Sequence, residues 1–414
     1  MDGMPVTALK STLDAPAFGD MSGPFEALRA PATHVPSLTS RDQIVVETVS
    51  SITAIARDWL ALEGRTRRPT AFQSFAWCKA WVEAAARSGS PEQLRIVVVR
   101  RAAVVKLIWP LAVKRMAFCN ILGALGEPAT QYCDVLIDPL EDPATLLAEA
   151  WRLIRSWPDI DLLDLRRVPD DSGLYSLPPL LRSASHSGPS SKSPRIDGRV
   201  ALAAAVNRSS RTRNALLRHQ KKLAERGPVQ FEVVEDPIQK RETLFAAMRF
   251  KHEWIRSRGI WSNGYSHPAA EALTRQLAHC DEYCVTRLVV GGQTAAVEAG
   301  LLTRSHYWSL TQSYDLALEK HGPGRLLTWR FLEHCLATGV EHIDFLAPAQ
   351  PHKTEWSNTN ILVRDHVLAL TLKGSILANG AIRSRPLLRE LCARLPPAVR
   401  NILIQAGQSK SPSK

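Results

Sequence analysis

A glutamate in the middle of an apolar run is the first residue in this chain with chemistry to offer. Glu298 lies in AAVEAGLL, which reads as a buried strand. Burial disfavours an ionised carboxylate and raises its pKa, the condition a carboxyl needs to exchange protons near neutrality. A paired strand carboxylate is the equal alternative. Further on, Gly322 and Gly324 bracket Pro323 just before an amphipathic run. Glycines let the backbone approach a ligand, and the first N–H groups of a helix point outward with the positive end of its dipole. That combination suits a phosphate or pyrophosphate. Asp344 closes the segment VEHIDF near a strand end, where ligands gather in α/β sheets. An ordering hydrogen bond to the next loop explains it equally well. Lys353 follows as a group for the acidic part of a ligand, or as an ordinary surface lysine.

A strand–loop–helix–strand unit is needed to hold these residues. Tyr307 to Asp315 alternates as a strand, and Leu326, Leu327, Phe331, Cys335 and Leu336 give the following helix an apolar stripe. Gly339 ends that helix and Val340 to Phe345 returns to the sheet. Before the unit, Tyr283 to Val290 and Thr294 to Thr303 form a hairpin around Gly291-Gly292, preceded by helices over 240–258 and 268–279. After it comes a long apolar strand over 360–372. The first part of the chain repeats the plan. Helices, a meander of strands (94–100, 104–113, 118–125, 132–137), a helix over 146–156 and the strand 160–165 place Asp164 about 180 residues before Asp344. The first copy carries Asp138-Pro139 to Asp142-Pro143 where the second has its glycine loop, a poor place for a phosphate. The expected division is a flexible arm over 1–41, a first domain over 42–184, a small polar linker over 185–198, a second domain over 199–375 and a basic helical tail over 376–414.

Composition narrows the class. No run of about 18 apolar residues exists, so a membrane span is not expected, and the N-terminus lacks a secretory pattern. Seven scattered cysteines, of which only Cys280 and Cys284 lie close together, complete no zinc site and fit a reducing compartment. The expectation is a cytoplasmic protein without a metal, at most peripheral at the inner face of a membrane. The net charge of +12 favours acidic partners. Seven basic residues against one acid fall between Asn207 and Gly227. They form a solvated helix face, with Leu216, Leu217 and Leu223 turned to the core, or a track for a phosphate backbone. No aromatic residue interrupts them, which counts against stacking on single-stranded bases.

The second copy resembles the GNAT acyltransferase fold, whose pyrophosphate loop follows the pattern (Arg/Gln)-x-x-Gly-x-(Gly/Ala). Glu319-Lys320-His321-Gly322-Pro323-Gly324 matches its glycines, with Glu319 in place of the Arg or Gln. More narrowly, YDLALEKHGPGRLLTWRFLEHCLATGVEHIDF through Lys353-Thr354-Glu355-Trp356 is similar to the BioF2-like acetyltransferase family. That family includes CelD-type proteins associated with bacterial cellulose and exopolysaccharide production. FQSFAWCKAW, LIWPLAV and LGALGEPATQYCDVLIDP extend the likeness to the first half. The resemblance implies an α/β (α+β) protein of tandem GNAT-like domains, with mixed, mostly antiparallel sheets flanked by helices. It implies acyl transfer from acetyl-CoA or another acyl-CoA to an amine or hydroxyl, with acceptors such as a sugar, an amino sugar or an envelope precursor. The cradle would be Gly322 and Gly324 with the backbone N–H groups of Arg325 and Leu326. The base would be Glu298 or Asp344, the proton donor to the thiolate Tyr314 or His321, and the acceptor contacts Lys353 and Trp356. Two other classes share the arrangement. One is a FemABX-like transferase that takes its donor from aminoacyl-tRNA; the other is a non-catalytic subunit of polysaccharide synthesis.

Overall fold

The computed structural model describes residues 43–66, 71–116, 118–177, 190–260 and 262–382. The arm over 1–41 and the basic tail beyond Ile382 lie outside the described residues. The first half runs β1 (Ile44–Val49), α1 (Ala56–Arg65), α2 (Phe75–Arg87), β2 (Gln93–Leu94), β3 (Ile96–Arg101), β4 (Val104–Trp109), β5 (Leu111–Met116), β6 (Cys119–Ala124), β7 (Leu136–Ile137), α3 (Pro143–Ser156) and β8 (Leu162–Pro169). Next come β9 (Ser191–Asp197), α4 (Arg199–Val206), α5 (Ser210–Ala224), β10 (Val229–Val233), α6 (Pro237–Arg258), α7 (Ala270–Leu277), β11 (Tyr283–Val290), β12 (Gln293–Thr303) and β13 (His306–Tyr314). The chain ends its described part with α8 (Pro323–Ala337), β14 (His342–Asp344), α9 (Pro351–Thr354), β15 (Thr359–Ala369) and α10 (Leu372–Leu377).

Both halves are built alike. β6 and β8 pair in parallel around the crossover helix α3, as β13 and β14 do around α8. Gly123 faces Asp164 in one pair and Trp308 faces Asp344 in the other, so the two aspartates are equivalent, as the repeat predicts. Each half is then completed by the strand that follows the other: β9 lies beside β14, and β15 beside β8. β9 and β15 also pair with each other, giving one sheet of eleven strands in the order β10-β11-β12-β13-β14-β9-β15-β8-β6-β5-β2. The stretch 185–198, expected to link two domains, therefore holds a central strand.

Apolar faces fix the layers. Leu326, Leu327, Phe331, Leu332 and Cys335 of α8 bury against Leu288, Ala296 and Tyr307 on one side of the sheet. Leu244 and Ala247 of α6 and Leu273 and Leu277 of α7 bury against Val285, Val297, Ala299 and Leu301 on the other. Each fully buried Leu or Phe contributes about 1.5–3 kcal/mol. Trp77 and Trp81 of α2 are both 1% exposed, core residues as their helical spacing predicts. Three expectations need correction. The strand expected over 104–113 is broken at Pro110, which has no N–H for a ladder, and its two parts enter different sheets. The strand expected over 132–137 keeps only Leu136–Ile137. On α5, Leu216 and Leu223 are buried but Leu217 is 43% exposed, because only the narrow stripe through Leu216 and Leu223, seven residues apart, meets the core.

One buried carboxylate ties the exchanged strands to the first half. Asp344, 3% exposed, lies 2.9 Å from the Tyr132 hydroxyl and accepts from Ser193 Oγ at 2.7 Å, Arg195 Nη2 at 2.9 Å and the Leu346 N–H at 2.8 Å. Its removal strands a partly buried guanidinium and leaves the Tyr132 and Ser193 hydroxyls only their mutual bond at 2.7 Å. Asp344→Ala is therefore expected to lower stability by about 3–5 kcal/mol, and Tyr132→Phe by about 1 kcal/mol. Thermal unfolding of the three proteins checks the order; an Asp344→Ala midpoint equal to the parent's would refute it.

Candidate functional site

The site begins with a fault in the sheet. The register of β12 against β13 shifts between Ala299 and Gly300. A Cβ on Gly300 would lie 2.0 Å from the Trp308 carbonyl and 2.7 Å from the Tyr307 hydroxyl, so only glycine lets the strands close here. The bulge turns Tyr307 and Ser309 onto Glu298: the Tyr307 hydroxyl donates to Oε1 at 3.0 Å and Ser309 Oγ at 2.6 Å. Glu298 is 2% exposed. Burial pushes its carboxyl up to about 7, against the opposing pull of those two hydrogen bonds and of Lys353 and Lys251.

β13 and β14 pair only from His306 to Trp308 against His342 to Asp344. Beyond Trp308 the two strands part, leaving an opening between β13 and the turn after β14, where Leu346 has φ of +61°. Lys353 of α9 donates to the Leu346 carbonyl at 2.8 Å, and Lys251 of α6 reaches the Gln312 carbonyl at 3.4 Å. Burial, with the charge of Lys251, pushes Lys353 down to about 8. Burial lowers Lys251 as well, with Glu298 opposing. Glu298 and Lys353, far apart in sequence, thus come close enough for their charges to act on each other and on Lys251. Lysine 251 had a readable signal: it falls seven residues after Leu244 and four after Ala247, on the buried stripe of its helix. Tyr307, Ser309 and Gly300 signalled themselves only as strand residues.

The glycine loop sits at the far end of β13. Gly322 is the N-cap of α8 with φ of +62° and offers no side-chain cap, and Pro323 holds the first helical position. The Leu326 N–H donates to the Gly322 carbonyl at 3.1 Å, so Leu326 drops out of the expected cradle. Helical geometry leaves the N–H groups of Gly324 and Arg325 for an external acceptor. A Cβ on Gly322 would lie 2.9 Å from the His219 ring, and one on Gly324 would lie 3.0 Å from the Tyr314 ring. The positive charges of Arg325 and Arg218 act on His219, so the basic helix α5 flanks the loop. Glu319, the departure from the usual pattern, is matched by Arg258 at 2.7 Å and by the Tyr314 hydroxyl at 3.0 Å. That hydroxyl is therefore engaged, and burial with Glu319 raises its pKa. The Arg325 guanidinium pairs with Glu355. Trp356 is 4% exposed in the core, with the Arg208 guanidinium 4.5 Å above its ring, so it does not offer the expected acceptor contact. Asp344 is filled by the donors already described. The equivalent helix of the first half, α3, is capped differently. Asp142 accepts from Ala144 and Thr145 N–H at 3.3 and 3.0 Å, so its donors are satisfied within the chain.

Comparisons place this geometry among known proteins. Residues 210–354 match the family model described as an acetyltransferase (GNAT) domain. The crystal structure of FemX is similar with a TM-score of 0.56 at 11% identity, covering 81% of this chain and 99% of that one. A tandem GNAT protein from the clavulanic acid biosynthesis pathway aligns with a TM-score of 0.46 at 14% identity, over 80% and 99% of the two chains. No curated protein sequence matches significantly. The fold is mixed α/β with tandem GNAT-like halves. Among the described residues, no helix is long and apolar enough to cross a membrane.

The electrostatics of Glu298 give a direct test. Its folded pKa is raised from the ordinary 4.5 to about 7, so its contribution to stability is fully present below 4.5 and is lost as pH rises to about 7. The loss is on the order of 3 kcal/mol. Other groups, such as His306, pushed down to about 4, titrate in this window with the opposite sign. The difference between the parent and Glu298→Gln isolates the glutamate. Urea unfolding at pH 4.5 and pH 8 should show the variant gaining on the parent by about that amount; a constant difference would mean that Glu298 titrates normally.

Proposed function

We propose that the protein is an acyltransferase that takes its acyl group from acetyl-CoA or another acyl-CoA and passes it to the amine or hydroxyl of a sugar, amino sugar or envelope precursor. The observation that carries this reading is the opening between β13 and β14, with an uncapped helix N-terminus at one end and a buried, near-neutral carboxyl at the other. The residues present fit a CoA pyrophosphate: Gly324 and Arg325 offer N–H groups, and Arg218 brings positive charge beside His219 at the loop. When bound, the thioester supplies an activated acyl carbon. Glu298, held through Oε1 by Tyr307 and Ser309, takes the proton of the acceptor as its nitrogen or oxygen bonds to that carbon. The carbon–sulfur bond breaks with its electron pair on sulfur. His321 gives a proton to that sulfur, since the Tyr314 hydroxyl is held to Glu319, and Lys353 is left for the acceptor.

The likeness to CelD-type proteins supports an exopolysaccharide or cellulose precursor as acceptor. A second reading has its own observation: α5 sets Arg218 and His219 beside the loop, a position from which it could engage an aminoacyl-tRNA donor, as in FemABX-like transferases.

Thermal unfolding with acetyl-CoA, longer acyl-CoAs and bulk tRNA decides between them. A ligand at a hundred times its dissociation constant stabilises by about 2.7 kcal/mol, a shift of a few degrees at this size. A shift with acyl-CoA that Gly324→Glu abolishes is the expected result. A salt-dependent shift with tRNA alone would favour the second reading, and silence from all would favour a non-catalytic role. Where acetyl-CoA binds, Glu298→Gln should lower acyl transfer by a factor of about 10²–10⁴ while leaving acetyl-CoA affinity unchanged.

A further inference from the structure

The opening between β13 and β14 holds more positive charge than its own residues neutralise. Lys251 enters from α6 and Lys353 from α9, and their ammonium groups rest on carbonyls that edge the opening on its two sides, Gln312 at 3.4 Å and Leu346 at 2.8 Å. A carbonyl accepts a hydrogen bond without cancelling a charge. The two ammonium groups repel each other, and Glu298 is the carboxylate that acts on both. Asp344 also acts on Lys353, but it is already matched by Arg195 at 2.9 Å. Two ammonium groups against one carboxylate leave one positive charge in a half-buried cleft, a costly arrangement without an anion. Lys251 Nζ lies 5.0 Å from the Trp254 ring centre and 5.7 Å from that of Tyr265, whose hydroxyl is held by Thr311 at 3.1 Å.

Resting on the acyl-transfer reading, we propose that Lys251 and Lys353 form the acceptor subsite, and that the acceptor carries a carboxylate which bridges the two ammonium groups and turns its amine or hydroxyl towards Glu298. A monoanion matches the charge left over, whereas a phosphate dianion exceeds it. Lysines are point-charge donors and suit a carboxylate held at each oxygen separately.

Competitive labelling of the full chain with acetic anhydride, read by peptide mass spectrometry, tests the subsite without a known acceptor. The probes are two matched pairs, L-alanine with L-alaninamide and glucuronic acid with glucose, and glucose 6-phosphate; the exposed Lys373 serves as internal control. L-alanine and glucuronic acid should slow labelling of Lys251 and Lys353 several-fold relative to Lys373, and the neutral partners should not. Equal or stronger protection by glucose 6-phosphate would overturn the carboxylate assignment, and no protection by either acid would overturn the subsite. In acyl transfer from acetyl-CoA, Lys251→Met should raise KM for the carboxylate acceptor about tenfold, the loss of one charge-assisted contact, without changing acetyl-CoA affinity. The two readings fail separately. Acetyl-CoA binding without carboxylate protection removes the subsite alone, and carboxylate protection without acetyl-CoA binding removes acyl transfer and keeps the subsite.

Discussion

Asp344 is the joint on which the second half depends. A buried carboxylate must find donors or lose its charge, and this one finds them in three separate parts of the chain. Tyr132 comes from the first half, Ser193 and Arg195 from β9, and the Leu346 N–H from the turn that ends β14. These groups meet only because β9 leaves the half it follows and pairs with β14. The same bonds fix where β14 stops. With the Leu346 N–H held back on Asp344 and its φ at +61°, the chain turns away from β13, and the opening follows. The carbonyl that receives Lys353 belongs to that same residue. Strand exchange, the parting of the strands and the position of a site lysine are consequences of one satisfied charge.

Parting two strands has a cost, because backbone groups that would have paired must find other partners. Lys251 on the Gln312 carbonyl and Lys353 on the Leu346 carbonyl meet part of that need, and they bring positive charge into a place with little water. Glu298 brings the opposite charge. Burial acts on all three with the sign that their charge dictates, up for the carboxyl and down for the ammonium groups, so that Glu298 and Lys353 converge on values of about 7 and 8. Without the neighbouring opposite charge each would move further. A carboxyl whose pKa lies near neutrality is suited to proton transfer at that pH.

Much of this was legible in the sequence, and the parts that were not share a cause. The crossover units, the glycine loop and the burial of Glu298 follow from periodicity and composition, which report what each segment needs locally. β9 does not announce itself that way. SKSPRID is small and polar with a proline, and it is a central strand because its polar side chains serve a buried aspartate far away in sequence. Leu217 stays outside for a local reason, since Leu216 and Leu223, seven apart, already occupy the narrow inner face of α5. The role of Gly300 needed the partner strand, because the clash that it avoids is with Trp308 and Tyr307 of β13. Trp356 looked like a ligand contact beside Lys353 and is instead core under Arg208. Neighbours in sequence around a site do not share its function.

The two halves also explain why a repeat need not repeat its chemistry. Each has a crossover helix whose N-terminus opens at the end of a parallel strand pair. In α3, the Asp142 carboxylate closes over the Ala144 and Thr145 N–H groups, and those bonds hold its own pKa below the usual carboxylate range. The anion that this N-terminus favours is built in, and the donors are spent on stability. In α8, the corresponding position is Gly322, which has no side chain to offer and whose left-handed backbone no other residue adopts without strain. Its donors stay available. The acid that does occur nearby, Glu319, is drawn aside by Arg258 and Tyr314 and does not cap the helix. A single choice at the N-cap, aspartate or glycine, thus separates a helix end that stabilises the fold from one that can hold an anion from outside.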